Sequence, residues 1–464
     1  MKKEHFTYRS VIDAPAGEVY RWHTRPGAFE RLSPPWERVN VIRRTGLVEE
    51  GSQVELSVPA GPFRLKWLLE HFDIEPGKQF CDRSLDGPFP HWEHFHRFIP
   101  QGEEICLLED HIEYVPPLGR AGARLGANHI QMKLGNLFAY RHLVTGLDIA
   151  VHRSERRWHK PLKILVTGSS GLIGSTLCAF LSTGGHTVIK MVRSRNQTGP
   201  DVFFWNPAAG KIDSSGLEGL DAVIHLAGES VAALRWTDSK MERIRSSRIG
   251  STRLLSKTFS VLEQPPQSFI CASATGYYGD RGGELLNESS AAGSGFFPEL
   301  CREWEQAAQK AADNGVRVLN ARFGMVLSPR GGALAAMLPA FSLGAGGKFG
   351  SGRQFISWIA ADDAVRAIYH AVIDNSLSGP VNLVSPDPIA NSDFTRVLAR
   401  VLHRPAVLGI PRQALKILLG RMADELLLAS CRAVPSKLLD TGFSFCFGRL
   451  ENALGCILGK EKCL

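Results

Sequence analysis

Hydrophobic and polar residues alternate with a period of two along most of the first 115 residues, which is typical of half-buried β-strands. Gly and Pro turns separate the alternating runs, so we predict an antiparallel sheet. A short helix is predicted over 15–23, and 128–151 repeats apolar residues at helical spacing. The predicted strands are 8–13, 39–44, 53–58, 63–72, 79–85, 91–99 and 105–114. We expect an α+β fold in which the sheet wraps one long helix and leaves a cavity.

The pattern changes after about residue 160 to buried strand-length runs that alternate with helical segments. Such alternation predicts an α/β fold with a doubly wound parallel sheet. Its predicted strands are 162–167, 187–192, 222–226, 268–272 and 316–323. A charged stretch without periodicity, HRSERRWHKP at 152–161, marks the linker. We predict domains at 1–153, 162–403 and 404–464, with the linker at 154–161.

Composition narrows the classes of partner. The 44% hydrophobic and 22% charged residues are those of a soluble globular protein. The net charge of +8 is dispersed and no nucleic-acid motif accompanies it, so we expect a small-molecule substrate or apolar ligand and no nucleic acid. No apolar stretch is long enough for a signal peptide or membrane span. Nine cysteines without metal-ligand spacing predict reduced thiols, as in a cytoplasmic protein. We also expect that the protein does not insert into membranes.

A glycine-rich turn follows the first strand of the predicted parallel sheet. The sequence GSSGLIG places Gly168, Gly171 and Gly174 between that strand and a helix. In a dinucleotide-binding turn the first glycine permits the tight bend, the second lets the pyrophosphate approach, and the third lets helix and strand pack. The phosphates then meet N–H groups at the positive end of the helix. We therefore predict that the whole turn binds a dinucleotide, with the intervening residues Ser169, Ser170, Leu172 and Ile173.

The end of the second strand selects the cofactor. An NAD site usually has an acidic residue here to bind the ribose 2′-hydroxyl. This chain instead reads KMVRSR over 190–195, without an acid. Arg193, with Arg195 as a second candidate, can pair with a 2′-phosphate through its guanidinium group. The predicted cofactor is NADP(H).

Two resemblances to known families accompany these patterns. The segment IDAPAGEVYRWHTRPGAFERLSPPW over 12–36 resembles START-like (SRPBCC) cyclase/dehydrase domains, which implies a helix-grip fold around a hydrophobic ligand. From about residue 162 the chain resembles an atypical, epimerase-like branch of the extended short-chain dehydrogenase/reductase superfamily. The blocks that carry this resemblance are GSSGLIG, HLAGESVAALRW, SSRIGSTRLL, ASATGYYGD, REWEQAA, RFGMVLSPRGGAL and GSGRQFISWIAADDA. The resemblance implies that Leu226, Ala227 and Gly228 line the cofactor, and that the tail is the small C-terminal domain of this branch.

The catalytic residues of that superfamily are only partly present. A Ser or Thr polarises the substrate oxygen there, and the Tyr of a YxxxK pair transfers the proton. By this resemblance Ser273 is the catalytic serine, with Thr275 as a substitute, whereas Phe297 and Cys301 stand at the Tyr and Lys positions. Phenylalanine transfers no proton, so Tyr277 is the predicted replacement, with Tyr278 as its alternative.

Several other polar residues are weaker candidates. Glu229 and Arg235 follow the fourth strand near a prospective substrate, and a Gly-rich loop with Arg353, Gln354 and Trp358 resembles a substrate-facing segment. Asp362 and Asp363 are predicted to cap the next helix. In the first domain, Trp92, His94 and His96 point to one face of a strand. Because no carboxylate or third ligand lies near these histidines in sequence, no metal is predicted.

These observations leave two functions open. The first is an NADP(H)-dependent epimerase or oxidoreductase-like enzyme, whose N-terminal cavity presents or shields an apolar substrate. The second is a non-catalytic NADP(H)-binding redox or lipid sensor. The missing Tyr and Lys favour the sensor, whereas the retained Ser273 and the intact Gly-rich loop favour the enzyme.

Overall fold

The computed structural model describes residues 3–117, 119–156, 160–231 and 235–461, and the chain divides into two compact units. The first unit comprises Met1–Lys160, Ala179–Gly185 and Gly455–Leu464. The second comprises Pro161–Cys178 and His186–Leu454. Within the described residues, no helix has both the length and the apolar character needed to cross a membrane.

The first unit contains a seven-stranded antiparallel sheet in the spatial order β1-β7-β6-β5-β4-β3-β2. Its strands are β1 Glu4–Ile12, β2 Asn40–Arg44, β3 Gln53–Ala60, β4 Phe63–Glu75, β5 Gln79–Asp86, β6 His91–Pro100 and β7 Cys106–Val115. Its helices are α1 Ala16–Thr24, α2 Ala28–Leu32 and α3 Gly119–Arg156. The predicted α+β fold with one long helix is confirmed. Helix α3 extends beyond the predicted 128–151 at both ends, and α2 was not predicted.

Alternation along β6 shows how the sequence sets the inner face of this sheet. Trp92, His94, His96 and Phe98 are buried, whereas the residues between them are partly exposed. Successive side chains of a strand point to opposite faces, so these four share the inner face. The polar histidines therefore lie in the interior, where apolar residues are the norm.

The second unit is built on an eight-stranded sheet in the order β11-β10-β9-β8-β12-β13-β15-β19, in which every pair but β10–β11 is parallel. The strands of the unit are β8 Lys163–Thr167, β9 Thr187–Val192, β10 Val202–Asn206, β11 Lys211–Ile212, β12 Ala222–His225, β13 Ser268–Ala274, β14 Leu285–Leu286, β15 Arg317–Phe323, β16 Met325–Leu327, β17 Phe355–Ile356, β18 Trp358–Ala360, β19 Gly379–Leu383, β20 Ile389–Ala390 and β21 Arg432–Ala433. The remaining helices of the chain are α4 Leu172–Thr183, α5 Asp238–Phe259, α6 Phe296–Gln309, α7 Gly332–Ser342, α8 Ala361–Ile373, α9 Asn391–Val401, α10 Arg412–Leu419, α11 Ser436–Asp440 and α12 Leu450–Ile457.

The central strands explain why the α/β prediction holds. Residues 164–166 of β8 and 222–224 of β12 are fully buried, as expected of a parallel sheet covered on both faces. The predicted doubly wound fold is confirmed. Strands β10, β11 and β19 were not predicted, and β19 begins with Gly379-Pro380, which as a sequence signal favours a turn.

The cysteines divide into two groups. Among the residues that the structure describes, seven are free: Cys81, Cys106, Cys178, Cys271, Cys301, Cys431 and Cys446. Cys456 is disulfide-bonded, so the prediction of reduced thiols does not extend to it.

Candidate functional site

The glycine-rich loop joins β8 to α4 with almost no space beside its backbone. Gly168 has a φ of +69°, a left-handed conformation that favours glycine. A β-carbon on Gly174 would lie 2.2 Å from the carbonyl oxygen of Gly168, and one on Gly171 would lie 3.1 Å from the same atom. Close packing of strand, turn and helix therefore requires glycine at 168 and 174. The first N–H groups of α4 have no intrahelical acceptor and are available to an anion.

The end of β12 lies directly beside this loop. β12 pairs with β8, and the N–H of Leu226 donates to the carbonyl of Thr167 at 3.2 Å. The N–H of Ala227 donates to Thr167 Oγ1 at 3.3 Å. A β-carbon on Gly168 would lie 2.8 Å from the backbone of Leu226 and Ala227. The structure thus brings two predicted segments, 168–174 and 226–228, to one edge of the sheet.

A buried histidine that was not predicted as a site residue holds this edge together. His225 Nδ1 lies 2.7 Å from Thr167 Oγ1, and its Nε2 lies 3.0 Å from Ser251 Oγ. Burial, helped by Arg248, lowers the pKa of His225 to about 3, so the ring is neutral. The neutral ring therefore links β8, β12 and α5 and adds no charge next to the glycine-rich loop. Its only sequence signal is its place at the start of the block HLAGESVAALRW.

The predicted 2′-phosphate residues follow β9. Arg193 is exposed, and its charge helps to lower the pKa of Glu229, after the larger effect of Lys240. Arg193 therefore lies within electrostatic range of Glu229, as Arg243 does. The guanidinium of Arg195 lies 4.3 Å from the ring centre of Phe204 in β10. The two arginines therefore have different surroundings, and Arg195 already has an aromatic partner.

Ser273 lies at the end of β13, and its hydroxyl group is already engaged. Only 3% of the residue is exposed, and Oγ donates to Glu305 Oε1 at 2.7 Å. Glu305, from α6, also accepts two bonds from the guanidinium of Arg322, at 2.8 and 2.9 Å. The Arg322 side chain is only 3% exposed. Ser273 is thus part of a buried ionic network.

Tyr277 and Tyr278 form the turn after β13 and have different roles. The Tyr278 hydroxyl accepts from Arg322 at 3.0 Å and lies 2.8 Å from Asn382 Oδ1. Burial raises the pKa of Tyr278 to about 12, and its hydroxyl is engaged by Arg322, the carbonyl of Asn287 and Asn382. Tyr277 is half-buried, and its ring centre lies 3.5 Å from the guanidinium carbon of Arg322. Among the described residues, the Tyr277 hydroxyl makes no hydrogen bond to this network, whereas the Tyr278 hydroxyl does.

The positions where the superfamily has Tyr and Lys lie on α6 and are closed to solvent. Phe297 packs against the Trp236 ring at 5.2 Å, and Cys301 is 1% exposed. Burial, and then the charge of Glu305, raises the pKa of Cys301 to about 12. The thiol therefore stays protonated, and neither residue is suited to proton transfer at neutral pH.

The remaining candidates are mostly structural. Glu229 pairs with Lys240 at 2.7 Å, and Arg235 is exposed. Gln354 donates to the carbonyls of Phe349 and Leu427, both at 3.0 Å. Arg353 is exposed, and Trp358 is buried with its indole N–H donated to the carbonyl of Asp387 at 2.9 Å. Gln354 and Trp358 therefore connect their loop to distant segments of the chain.

The predicted capping role of Asp363 is wrong. The N-cap of α8 is Ala360, and the carboxylate of Asp363 accepts from the backbone N–H groups of Cys446 and Phe447 at 3.0 and 2.8 Å. Asp363 therefore fixes the C-terminal segment to α8, which a local capping rule does not anticipate.

The interior of the first unit also departs from the sequence analysis. The absence of a nearby carboxylate or third histidine was the reason to predict no metal at His94 and His96. Both occur in the structure, and we call the resulting set the histidine cluster: Asp82, His94, His96, Asp110 and His142. Sequence spacing concealed it, because its members come from β5, β6, β7 and α3.

The fold and the glycine loop define the second unit as a dinucleotide-binding domain of the short-chain dehydrogenase/reductase type. Residues 164–383 match the NAD dependent epimerase/dehydratase family. An epimerase family protein of Mycobacterium bovis is 43% identical over 292 residues, which are 63% of this chain and 96% of that protein. The chain therefore belongs to the epimerase family.

Two solved structures extend the comparison. The nucleoside-diphosphate sugar epimerase from Corynebacterium glutamicum is 34% identical, with 99% of this chain and 91% of that chain covered and a TM-score of 0.81. The human epimerase family protein SDR39U1, solved with NADPH, is 33% identical, with 64% of this chain and 99% of that chain covered and a TM-score of 0.60. Residues 12–134 match the polyketide cyclase / dehydrase and lipid transport family, and 410–457 match a domain of unknown function. The predicted fusion of a START-like domain to an epimerase-like protein with its C-terminal domain is confirmed.

Proposed function

We propose that the second unit binds NADP(H) at the loop between β8 and α4, and that the protein is an epimerase- or oxidoreductase-like enzyme of the atypical extended type. The observation that carries this proposal is the steric fit of the loop: Gly168 and Gly174 leave the backbone of β8, β12 and α4 too close for any side chain. That arrangement is suited to a pyrophosphate bound by backbone N–H groups. The NADPH of the human relative supports the same cofactor class for this chain.

The choice of NADP(H) over NAD(H) rests on Arg193. Residues 193–200, which directly follow β9, include no acidic residue to bind a 2′-hydroxyl, and Arg193 is exposed and within electrostatic range of Glu229. A guanidinium group there supplies two parallel N–H donors and a positive charge for a 2′-phosphate. In this proposal residues 168–174 and 226–228 contact the rest of the cofactor.

Titration of the full-length protein with NADPH and NADH, followed by nicotinamide fluorescence, tests the proposal. We expect NADPH to bind at least about tenfold more tightly, which is about 1.4 kcal/mol. Arg193→Ala should remove that preference and leave NADH affinity unchanged. Arg195→Ala is the matched control, because Arg195 stacks on Phe204, and it should keep the preference. If neither nucleotide binds, or the preference survives in Arg193→Ala, the assignment is wrong.

The catalytic residues that we propose are Ser273 and Tyr277. Ser273 is the next-to-last residue of β13, which pairs in parallel with β12, and the carboxyl ends of parallel strands meet at one edge of a sheet. It must leave Glu305 before it can donate to a substrate oxygen. Tyr277 supplies the proton in this proposal, with the Arg322 guanidinium against its ring.

The second candidate is a non-catalytic NADP(H)-binding redox or lipid sensor. It is favoured by Phe297 and by the protonated thiol of Cys301, which occupy the positions of the usual proton-transfer pair. In both candidates the first unit binds a small molecule or an apolar ligand, which the match to a lipid transport family supports. The cytoplasmic location of the protein stays a prediction, and the seven free thiols among the described residues support it.

A further inference from the structure

The histidine cluster occupies the inner face of the first unit's sheet, between aromatic side chains. His96 stacks on Phe80 with ring centres 4.2 Å apart, and His94 lies edge-on to Phe138 at 5.3 Å. His94, His96 and Asp110 are each at most 7% exposed. Charged and titratable groups are costly in such an interior unless they are paired or bind a metal. Their presence therefore requires an explanation.

Sheet register brings the members of the cluster together. Asp82 of β5 is directly opposite His94 of β6, and His96 of β6 is directly opposite Asp110 of β7. Directly opposite side chains on one face lie about 4.5–5.5 Å apart at their β-carbons. The two histidines are two residues apart and share that face. The register thus produces a square of alternating histidines and aspartates.

Distances within this square are of two kinds. On the Asp110 side, His94 Nε2 and His96 Nδ1 lie 2.8 and 2.7 Å from Oδ1 of Asp110, which are short hydrogen-bond distances. On the Asp82 side, His94 Nδ1 and His96 Nε2 lie 3.3 and 3.2 Å from Oδ2 of Asp82. Ligand atoms bound to one metal ion at about 2.0–2.2 Å are separated from each other by about 3–3.5 Å. Both distances to Asp82 Oδ2 fall in the range of two ligands of one ion, and the two histidine nitrogens lie within 4.8 Å of each other.

The hydrogen bonds on the other side fix the tautomers that a metal needs. If His94 donates Nε2–H and His96 donates Nδ1–H to Asp110, the lone pairs of His94 Nδ1 and His96 Nε2 both face Asp82. Three electron-rich atoms then converge, all within 4.8 Å of one another. Metal-binding histidines typically donate their second ring N–H to a carboxylate, as both do here. His142 completes the arrangement through Asp110 Oδ2 at 2.6 Å, and Ser10 contacts His142 Nδ1 at 2.6 Å.

We propose that Asp82, His94 and His96 bind a divalent transition-metal ion in the interior of the first unit. Two imidazole nitrogens and one carboxylate oxygen suit zinc or ferrous iron rather than calcium or magnesium. Three protein ligands leave at least one coordination position for water or for an oxygen atom of a bound ligand. Asp110 is the positioning residue that orients both histidines.

Charge balance supports a cation at this position. With neutral histidines, the two carboxylates carry two negative charges into the interior. Arg141 of α3 acts electrostatically on both carboxylates, but its Nε donates to the carbonyl of Leu32 at 3.1 Å. Arg141 offsets one of the two negative charges, and a divalent ion would offset the charge that remains. The competing explanation for the charge balance is that the histidines are protonated. The charges and hydrogen bonds of Asp110 and Asp82 have a larger effect than burial and raise the pKa of His96 to about 9.

Metal binding by the tag-free, full-length protein distinguishes the two explanations. The purified chain is analysed for metal content, treated with a chelator, and titrated with Co²⁺ while its visible absorption is recorded. We expect one equivalent of Co²⁺ with the d–d bands of a four- or five-coordinate site, displaced by Zn²⁺. Failure of the wild-type chain to take up stoichiometric Co²⁺ or Zn²⁺ would overturn the proposal and leave a network held by protons.

Variants locate the site. Asp82→Asn should abolish the Co²⁺ bands, and Asp110→Asn should weaken binding by about 10–100-fold. His111→Gln is the matched control, because His111 belongs to a more exposed group with His5 and Glu113, and it should bind Co²⁺ as the wild type does. Loss of the bands in His111→Gln but not in Asp82→Asn would contradict the assignment. If Asp82→Asn does not fold, X-ray absorption of the zinc-loaded wild type decides: two imidazole ligands support the site, and any other number refutes it.

Discussion

The loop of residues 168–174 and the turn after β13 follow two strands of the same sheet, but different kinds of contact stabilise them. The loop depends on backbone geometry, because β-carbons on Gly168 and Gly174 would clash with neighbouring main chain. Beside the turn, side-chain contacts are decisive, because Ser273 of β13, Glu305 of α6 and Arg322 of β15 form a buried ionic network. The comparison shows that the proposed cofactor loop rests on backbone contacts, whereas the proposed catalytic serine is held by side-chain contacts. A binding site formed by backbone atoms tolerates most substitutions except those of its glycines. A site formed by side chains changes its chemistry with each substitution.

The largest expected effect concerns the ionic network. Glu305→Gln leaves the Arg322 guanidinium, 3% exposed, without its carboxylate. We expect the free energy of unfolding to fall by about 3–5 kcal/mol, because breaking a buried pair strands the remaining charge. Urea denaturation measures this loss. The control is Asp313→Asn, whose partner Lys310 is 77% exposed, and it should change stability by no more than about 0.5 kcal/mol. Equal effects of the two variants would show that the network is not a buried structural element.

An intermediate effect is expected at the loop. Gly174→Ala places a β-carbon 2.2 Å from the Gly168 carbonyl oxygen, so the strand, turn or helix must shift. We expect a loss of about 2–4 kcal/mol in stability and at least about tenfold weaker NADPH binding. Gly250→Ala in α5 is the matched control, since no atom lies within 4 Å of its β-carbon position. It should stabilise the helix by about 0.5–1 kcal/mol and keep full NADPH affinity. Unchanged affinity in Gly174→Ala would remove the main support for the cofactor site.

The smallest expected effect is that of Ser273→Ala. Glu305 keeps both bonds from Arg322 in this variant, so we expect stability to fall by only about 1 kcal/mol and NADPH affinity to stay unchanged. Stopped-flow oxidation of bound NADPH by a panel of carbonyl compounds then separates the two candidate functions. Turnover in the wild type that is lost in Ser273→Ala supports the enzyme, and no turnover in either protein supports the sensor. Turnover that survives in Ser273→Ala rejects Ser273 as a catalytic residue.

Sequence patterns predicted the structure correctly where that structure depends on residues close together in the sequence. The glycine spacing of 168–174 predicted the strand–turn–helix unit because backbone contact imposes it within a few residues. The alternation in 91–99 predicted both β6 and the shared face of His94 and His96 for the same reason. Strand β19 was missed because Gly379-Pro380 reads as a turn until pairing with β15 places it in the sheet.

By itself, the sequence determined the two fold classes, the glycine loop and the absence of a tyrosine and lysine at 297 and 301. Only tertiary structure decided what surrounds these features. Glu305 reaches Ser273 across 32 positions of the chain, and His142 reaches Asp110 across 32. The same holds for Asp82, which β-sheet register sets opposite His94. The periodicity of a strand or helix shows which face each side chain lies on. The contacts of that side chain depend on which strands and helices pack against the face. That packing depends on the whole hydrophobic core rather than on neighbours in sequence.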